Sequence, residues 1–493
     1  MFEAAELGQT LDKAGFKAQE LEIRASLLQV QRQLAEQNIP MLLIIAGVEG
    51  AGKGEVVDRL HKWFDSRNLQ THAFWDETDE ELERPPEWRF WKRLPAHGNI
   101  AIMFGGWYWT PLYAHANSIS SNSDLDEATR RINELERMLH VDGLLIVKLW
   151  FHLSKPVFQK RMKQRHEIEV HLQRRGKTLG KTADYDNFLD SAELMIRHTD
   201  NADCPWQLIE SDDSRFRDMS AARTILARIN QRLHEQRAAE KRTGLHALVE
   251  PAADNPVTIL DRVDLSARYG KKEYNELLHE YQDKLRRLTW QAYDAKRSTV
   301  IVFEGWDAAG KSGAIRRITS AMDARLYRVI PVAAPTDEER AHHYLWRFWR
   351  QVPRAGYMTI YDRSWYGRVL VERVEGIAEP HVWMRSYREI NDFEEQLTEH
   401  GVLLLKFWLH ISNEEQLRRF KERETTSWKK HKITAEDWRN REKWRDYWQA
   451  VNDMVEHTST ANAPWTLVPA NDKRYARIKV LQTLCERLQK ALE

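Results

Sequence analysis

The stretch Thr299-Val300-Ile301-Val302-Phe303-Glu304-Gly305-Trp306-Asp307-Ala308-Ala309-Gly310-Lys311-Ser312 decides the fold. Five residues of strand character run into G-x4-G-K-S, and a helical pattern follows. A buried strand that ends in such a turn and opens a helix is a phosphate cradle. Gly305 and Gly310 let backbone amides turn inward around phosphate oxygens, and the helix N-terminus favours the anion. Lys311 neutralises charge, and Ser312 offers a hydroxyl to a divalent cation. Asp307 is unusual inside an anion-binding loop, because a carboxylate repels phosphate unless a divalent metal or a proton stands between them. A loop-capping aspartate is the plainer alternative; a metal-linked role suits the position better.

A second acidic signal lies downstream in Thr359-Ile360-Tyr361-Asp362-Arg363-Ser364. Asp362 ends an apolar run, where an acid beside a phosphate loop completes a Walker-B-like magnesium site. Arg363, Arg368 and Arg373 follow, with Glu372 beside the last. Clustered arginines suit bidentate phosphate recognition, although any single one suits a surface ion pair equally.

Working outward, the chain repeats itself. Gly305, Gly310 and Lys311 follow Gly47, Gly52 and Lys53 by 258 positions (305 − 47). The same offset carries Trp88-Arg89-Phe90-Trp91 to Trp346-Arg347-Phe348-Trp349, and Lys148, Trp150 and His152 to Lys406, Trp408 and His410. After one inserted residue the offset is 259, which takes Pro205-Trp206 to Pro464-Trp465. Chance does not hold one register through so many tryptophans, so the 493 residues are two copies of one domain. We expect a first domain over 1–240, a linker over 241–262 rich in Gly, Pro, Asn and small residues, and a second domain over 263–493.

Each copy opens with a long amphipathic helix (about 19–36, then 271–294). Short apolar runs follow at Met41–Ile45, Ile100–Phe104, Leu144–Trp150 and Trp206–Ile209, matched by Thr299–Phe303, Met358–Tyr361, Val402–Trp408 and Trp465–Val468. Strands that alternate with helices predict an α/β fold: two tandem P-loop kinase-like domains, each a parallel sheet covered on both faces. The first copy departs at the residues that matter. Gly54 replaces Ser312, Glu49 replaces Asp307, and Phe104, Gly105 and Gly106 stand for Asp362, Arg363 and Ser364. Without the strand-end acid a magnesium ion loses a principal ligand, so the first copy is expected to be non-catalytic.

Composition narrows the partners. Lys+Arg number 75 and Asp+Glu 74, and a net charge of +1 gives no global attraction to nucleic acid or membrane. No run approaches the roughly 18 apolar residues of a membrane span. Cys204 and Cys485 are too few for a disulfide framework or a four-cysteine zinc site, and the default compartment is the reducing cytoplasm. Locally the balance differs. Arg418, Arg419, Lys421, Arg423, Lys429, Lys430 and Lys432 outnumber Glu422 and Glu424, and Lys160–Lys181 is the counterpart. A solvated helix face explains such runs; so does a lid for an extended polyanion, where P-loop kinases carry a mobile arginine-bearing segment. The acidic runs at 76–81 and 335–339 read as helix starts, and His152 and His410 as core histidines.

Phe303-Glu304-Gly305-Trp306-Asp307-Ala308-Ala309-Gly310-Lys311, with Tyr361-Asp362-Arg363-Ser364-Trp365-Tyr366-Gly367-Arg368 and Lys406-Phe407-Trp408-Leu409-His410-Ile411-Ser412, closely resembles the polyphosphate kinase 2 family. The likeness covers both copies, and the fused form is similar to the branch that phosphorylates AMP to ADP with inorganic polyphosphate. It implies a thymidylate-kinase-like fold with a helical lid, and dependence on Mg²⁺. It also implies catalytic roles for Asp307, Lys311, Asp362 and Arg363, with Asp307 and Asp362 on the metal. Gly305, Gly310, Ser312, Arg368 and Arg373, and the lid arginines Arg419 and Arg423, would hold phosphate or nucleotide. Many members have glycine where Ser312 stands. Rival readings are polyphosphate-dependent conversion of ADP to ATP, an ATP-dependent nucleotide kinase, and a binding protein without turnover. A fused pair also allows a homodimer of four domains.

Overall fold

The computed structural model describes residues 1–74, 76–171, 184–240, 257–426, 433 and 435–493. The chain forms two compact units, one for each copy.

In unit one, helix α1 (Lys13–Glu36) is capped by Asp12, whose carboxylate accepts from the Gly15 amide at 2.8 Å. Strand β1 (Met41–Gly47) runs into helix α2 (Lys53–Trp63) through the glycine turn. Strands β2 (Leu69–Ala73), β3 (Ile100–Phe104), β4 (Leu145–His152) and β5 (Trp206–Glu210) complete a parallel sheet in the order β2-β3-β1-β4-β5. Helix α3 (Asn122–Val141) leads into β4, and α4 (Ser214–Glu240) closes the unit. Every residue of β1 and β4 is buried, as a central strand between two helical layers requires.

Unit two repeats this order. Helix α5 (Lys271–Asp294) precedes β6 (Thr299–Gly305) and α6 (Lys311–Thr319). Strands β7 (Tyr327–Pro331), β8 (Met358–Asp362), β9 (Leu403–His410) and β10 (Trp465–Pro469) join it as β10-β9-β6-β8-β7, all parallel. Helix α7 (Pro380–Glu399) leads into β9. Helices α8 (Asn413–Thr425), α9 (Ala435–Glu442) and α10 (Trp444–Thr458) lie between β9 and β10, and α11 (Lys473–Leu492) follows the last strand.

Both sheets hold the same buried polar network. Lys406 Nζ donates to Glu394 Oε2 at 2.7 Å, to the Thr458 carbonyl at 2.7 Å and to the Tyr366 hydroxyl at 2.9 Å. Trp365 Nε1 and the Tyr366 hydroxyl donate to Glu394 Oε1. In unit one Lys148, Glu136, Tyr108, Trp107 and Thr199 make the equivalent bonds. A cation on a fully buried strand is tolerated because its donors and its charge are all answered.

The units differ from the sequence halves in one respect. Thr78–Trp88 belongs to unit two and Asp337–His343 to unit one. Within unit two, Arg84 donates to the Val352 carbonyl at 2.9 Å and Arg354 pairs with Glu83 at 2.5 Å. The expected linker over 241–262 lies outside the described residues up to 256. Beyond them, Leu260 is buried and its amide donates to Asn452 in unit two. Both acidic runs do start helices: Thr78 forms a capping box over Asp79–Leu82, and Asp337–Arg340 is the counterpart. Among the described residues, no helix is long and apolar enough to cross a membrane.

Candidate active site

The candidate site lies where β6 and β8 end beside each other. Gly305 has φ +146°, and a Cβ there would lie 2.6 Å from the Leu409 carbonyl oxygen, so only glycine lets β6 pass β9 at this point. Gly310, at φ +115°, caps α6. Lys311 folds back over the loop, with Nζ 2.6 Å from the Gly305 carbonyl oxygen. Ser312 Oγ donates to Asp362 Oδ2 at 3.0 Å, so the first turn of α6 and the end of β8 share one polar contact.

Asp307 is held from two sides. Arg363 Nη2 donates to its Oδ1 at 3.2 Å and Asn440 Nδ2, from α9, to its Oδ2 at 2.9 Å. Gln416 of α8 donates to its carbonyl oxygen. The sequence-expected catalytic set Asp307, Lys311, Asp362 and Arg363 is thus gathered around one loop, with Ser312 and the glycines. Trp306 stacks on Trp444 of α10 with ring centroids 3.8 Å apart, which sets α10 beside the loop.

Three of the expected phosphate-binding arginines have other partners. Arg419 is buried; its Nη1 donates to the Ala308 and Ala309 carbonyls and its Nη2 to those of Ala470 and Asn471, while Nε pairs with Glu415. Its fork therefore shapes the phosphate loop from behind, instead of reaching the phosphates as the resemblance implied. Arg368 pairs with Glu372 at 3.1 Å and lies over the Tyr344 ring. Arg373 pairs with Asp453 at 2.7 Å and donates to the Tyr387 hydroxyl. Arg423 is half-buried on α8. Lys429, Lys430 and Lys432 lie outside the described residues, as do residues 172–181 of the basic segment of the first copy.

Sequence reasoning missed Glu304. Its buried carboxylate accepts from the Ser364 hydroxyl at 2.8 Å, and burial pushes the carboxyl pKa up against the pull of Lys311 and Arg363. The repeat carried the signal: Ala46 replaces Glu304 in the copy where Phe104, Gly105 and Gly106 replace Asp362, Arg363 and Ser364. In that copy Lys53 Nζ still reaches the Gly47 and Val48 carbonyls at 2.6 and 2.8 Å. The lysine and its loop survive, but the facing acid and arginine are gone.

The arrangement can bind an anionic phosphate chain, neutralise it and offer oxygen ligands to a hard cation. Comparison with known proteins agrees. The polyphosphate kinase 2 family model matches residues 10–237 and 268–493. The polyphosphate:AMP phosphotransferase of Pseudomonas aeruginosa is 46% identical over 493 residues, covering 100% of this chain and 99% of its own length. That of Pseudomonas syringae pv. tomato is 45% identical, with coverage of 100% and 99%. A crystal structure assigned to polyphosphate kinase 2 from Pseudomonas aeruginosa PA01 superposes with a TM-score of 0.89 at 45% identity, covering 100% of this chain and 99% of that one. With both halves matched and its relatives aligned from end to end, the chain belongs to the polyphosphate kinase 2 family.

Proposed function

We propose that unit two transfers the terminal phosphoryl group of inorganic polyphosphate to AMP. A phosphate oxygen of AMP attacks the terminal phosphorus in line, and the bond from that phosphorus to its bridging oxygen breaks. ADP and a polyphosphate shorter by one residue result. The observation that carries the assignment to unit two is the contact of Ser312 with Asp362 beside Lys311 and Arg363, which unit one replaces with Gly54, Phe104 and Gly105. The full-length relatives named for this reaction support the donor and the acceptor.

There is little covalent work for the protein, so catalysis is placement and charge neutralisation. The loop amides and Lys311 hold the donor's end, and Arg363 faces the transferring group. Among the described residues, no three or more His, Cys, Asp or Glu side chains group as for a metal ion. Mg²⁺ needs only one or two carboxylates, because it keeps several waters and takes substrate oxygens. The adjacent Asp362 carboxylate and Ser312 hydroxyl fit it, with Asp307 across the loop. When bound, the ion would neutralise charge on the transferring phosphate.

The test is an end-point chromatographic assay of the full chain with AMP, with and without Mg²⁺, and with either long-chain polyphosphate or ATP as donor. ADP that forms with polyphosphate and Mg²⁺ supports the reading. In the ATP arm, ADP that forms only when AMP is present, and none in the polyphosphate arm, would make the chain an ordinary nucleotide kinase.

A further inference from the structure

Beyond the reaction centre, the two copies differ at three positions that meet at the loop–helix junction. Glu55, Arg217 and Asp218 of unit one stand where unit two has Gly313, Ala476 and Arg477. In unit one these residues form a plug. Arg217 is 1% exposed; its Nη2 pairs with Glu55 at 2.9 Å and Asp218 at 2.7 Å, and its Nη1 donates to the Ala51 carbonyl. The guanidinium lies so close that a Cβ at Gly52 would be 1.6 Å from Nη1.

In unit two the same place is open. A Cβ at Gly310 would meet nothing within 4 Å, and one at Gly313 would find Arg477 Nη2 at 3.5 Å. Ala476 leaves the space that Arg217 fills in unit one. Among the described residues, neither Arg477 nor Arg316 makes an ion pair, and Arg316 is exposed one helical turn beyond Gly313.

The chemistry of the donor gives this opening a use. A phosphate loop holds the last phosphates of its ligand on backbone amides at the start of the following helix. A polyphosphate differs from a nucleotide donor in what comes after: more phosphates, each anionic. They have to pass the helix start, where Gly313 presents bare backbone and Arg477 an uncommitted guanidinium. We propose that the donor chain leaves the loop of unit two past Gly313, held by Arg477 and then by Arg316, and that Arg217 closes the equivalent exit in unit one.

The proposal rests on unit two being the donor site. It is tested on the full chain by Arg477→Glu, with long-chain polyphosphate as substrate and pyrophosphate, which fills only the loop, as competitor. The KM for the long chain should rise about tenfold, and the slope of log KM against log salt should fall by about one for each arginine removed. The inhibition constant of pyrophosphate should move less than about twofold. A KM for the long chain that does not rise, or a pyrophosphate constant that rises with it, overturns the path. Should Arg477→Glu fail to fold, Arg316→Glu on the exposed helix face and Arg477→Gln carry the same expectation. Failure of the reaction itself would show as wild-type protein without polyphosphate-dependent ADP, whereas failure of the path leaves that activity in place.

Discussion

The indole N–H of Trp306 donates to Nδ1 of His410 across 3.1 Å, tying the phosphate loop to the end of β9. Trp408 Nε1 faces the same nitrogen at 3.5 Å, and the Trp448 ring packs against the imidazole. Two indole donors and burial disfavour a proton there, and burial holds the pKa down to about 4 from an ordinary 6.5; the opposing pull of Asp261 is weaker. The unfolded chain therefore binds more protons than the folded one between these values. Stability should fall as pH drops from 6.5 towards 4, by about 3 kcal/mol at most, and this contribution should be level above 6.5. Urea midpoints at pH 7.5 and 5 check this: His410→Gln should flatten part of the difference, and an unchanged difference would contradict it.

The lysines of the two loops are related by the repeat but not by their surroundings. Lys311→Ala should lower kcat/KM by about 10²–10³-fold, as loss of a group that neutralises developing charge does. Lys53→Ala, in the copy that has Phe104 and Gly105 in place of an acid and an arginine, should change it less than about twofold. Steady-state rates with polyphosphate and AMP decide. Equal losses would refute the division of labour.

Arg363 has a left-handed backbone at φ +67°, where unit one has Gly105 at φ +77°. The amides make the same bond, Arg363 to the Phe303 carbonyl and Gly105 to that of Ile45. A side chain kept in that conformation stores about 1 kcal/mol of strain, and strain of this kind clusters at functional sites. Arg363→Gly should raise the unfolding free energy by about that amount while turnover falls about a hundredfold. A variant that is both less stable and inactive would show the arginine to be structural.

The Lys406–Glu394 pair should respond asymmetrically. Lys406→Met strands a buried carboxylate and should cost about 3–5 kcal/mol. Adding Glu394→Gln removes that charge but keeps an acceptor for Trp365 and Tyr366, so the double variant should regain part of the loss. Chemical denaturation of wild type, single and double variants measures the difference.

The central strands, and the gathering of Asp307, Lys311, Asp362 and Arg363 around one loop, were legible because each follows from local constraints. Apolar runs such as 299–303 are buried on both faces, and G-x4-G-K-S has one conformational use. The edge strands β2 and β7 escaped notice because half-exposed sequences such as Leu69-Gln70-Thr71-His72-Ala73 carry no run of apolar residues. Glu304, Asn440 and the buried fork of Arg419 are products of tertiary packing. Asn440 lies 133 residues from Asp307, and nothing local marks it. Arg419 shows the limit of reading charge from sequence: an arginine in a basic run was expected to face phosphate, but four carbonyl oxygens and Glu415 take its donors.

The lysine–glutamate–tyrosine–tryptophan network stands intact in both units, whereas Glu304, Asp362, Arg363 and Ser364 are replaced by Ala46, Phe104, Gly105 and Gly106 in unit one. Architecture and chemistry in this chain are consequently separable. On the proposed assignment unit one is a natural knockout built on an undisturbed frame, and the question of how many residues make such a frame reactive can be put to it directly. Restoring glutamate at 46, aspartate at 104, arginine at 105 and serine at 106 would begin the answer inside the same polypeptide that carries the reference copy.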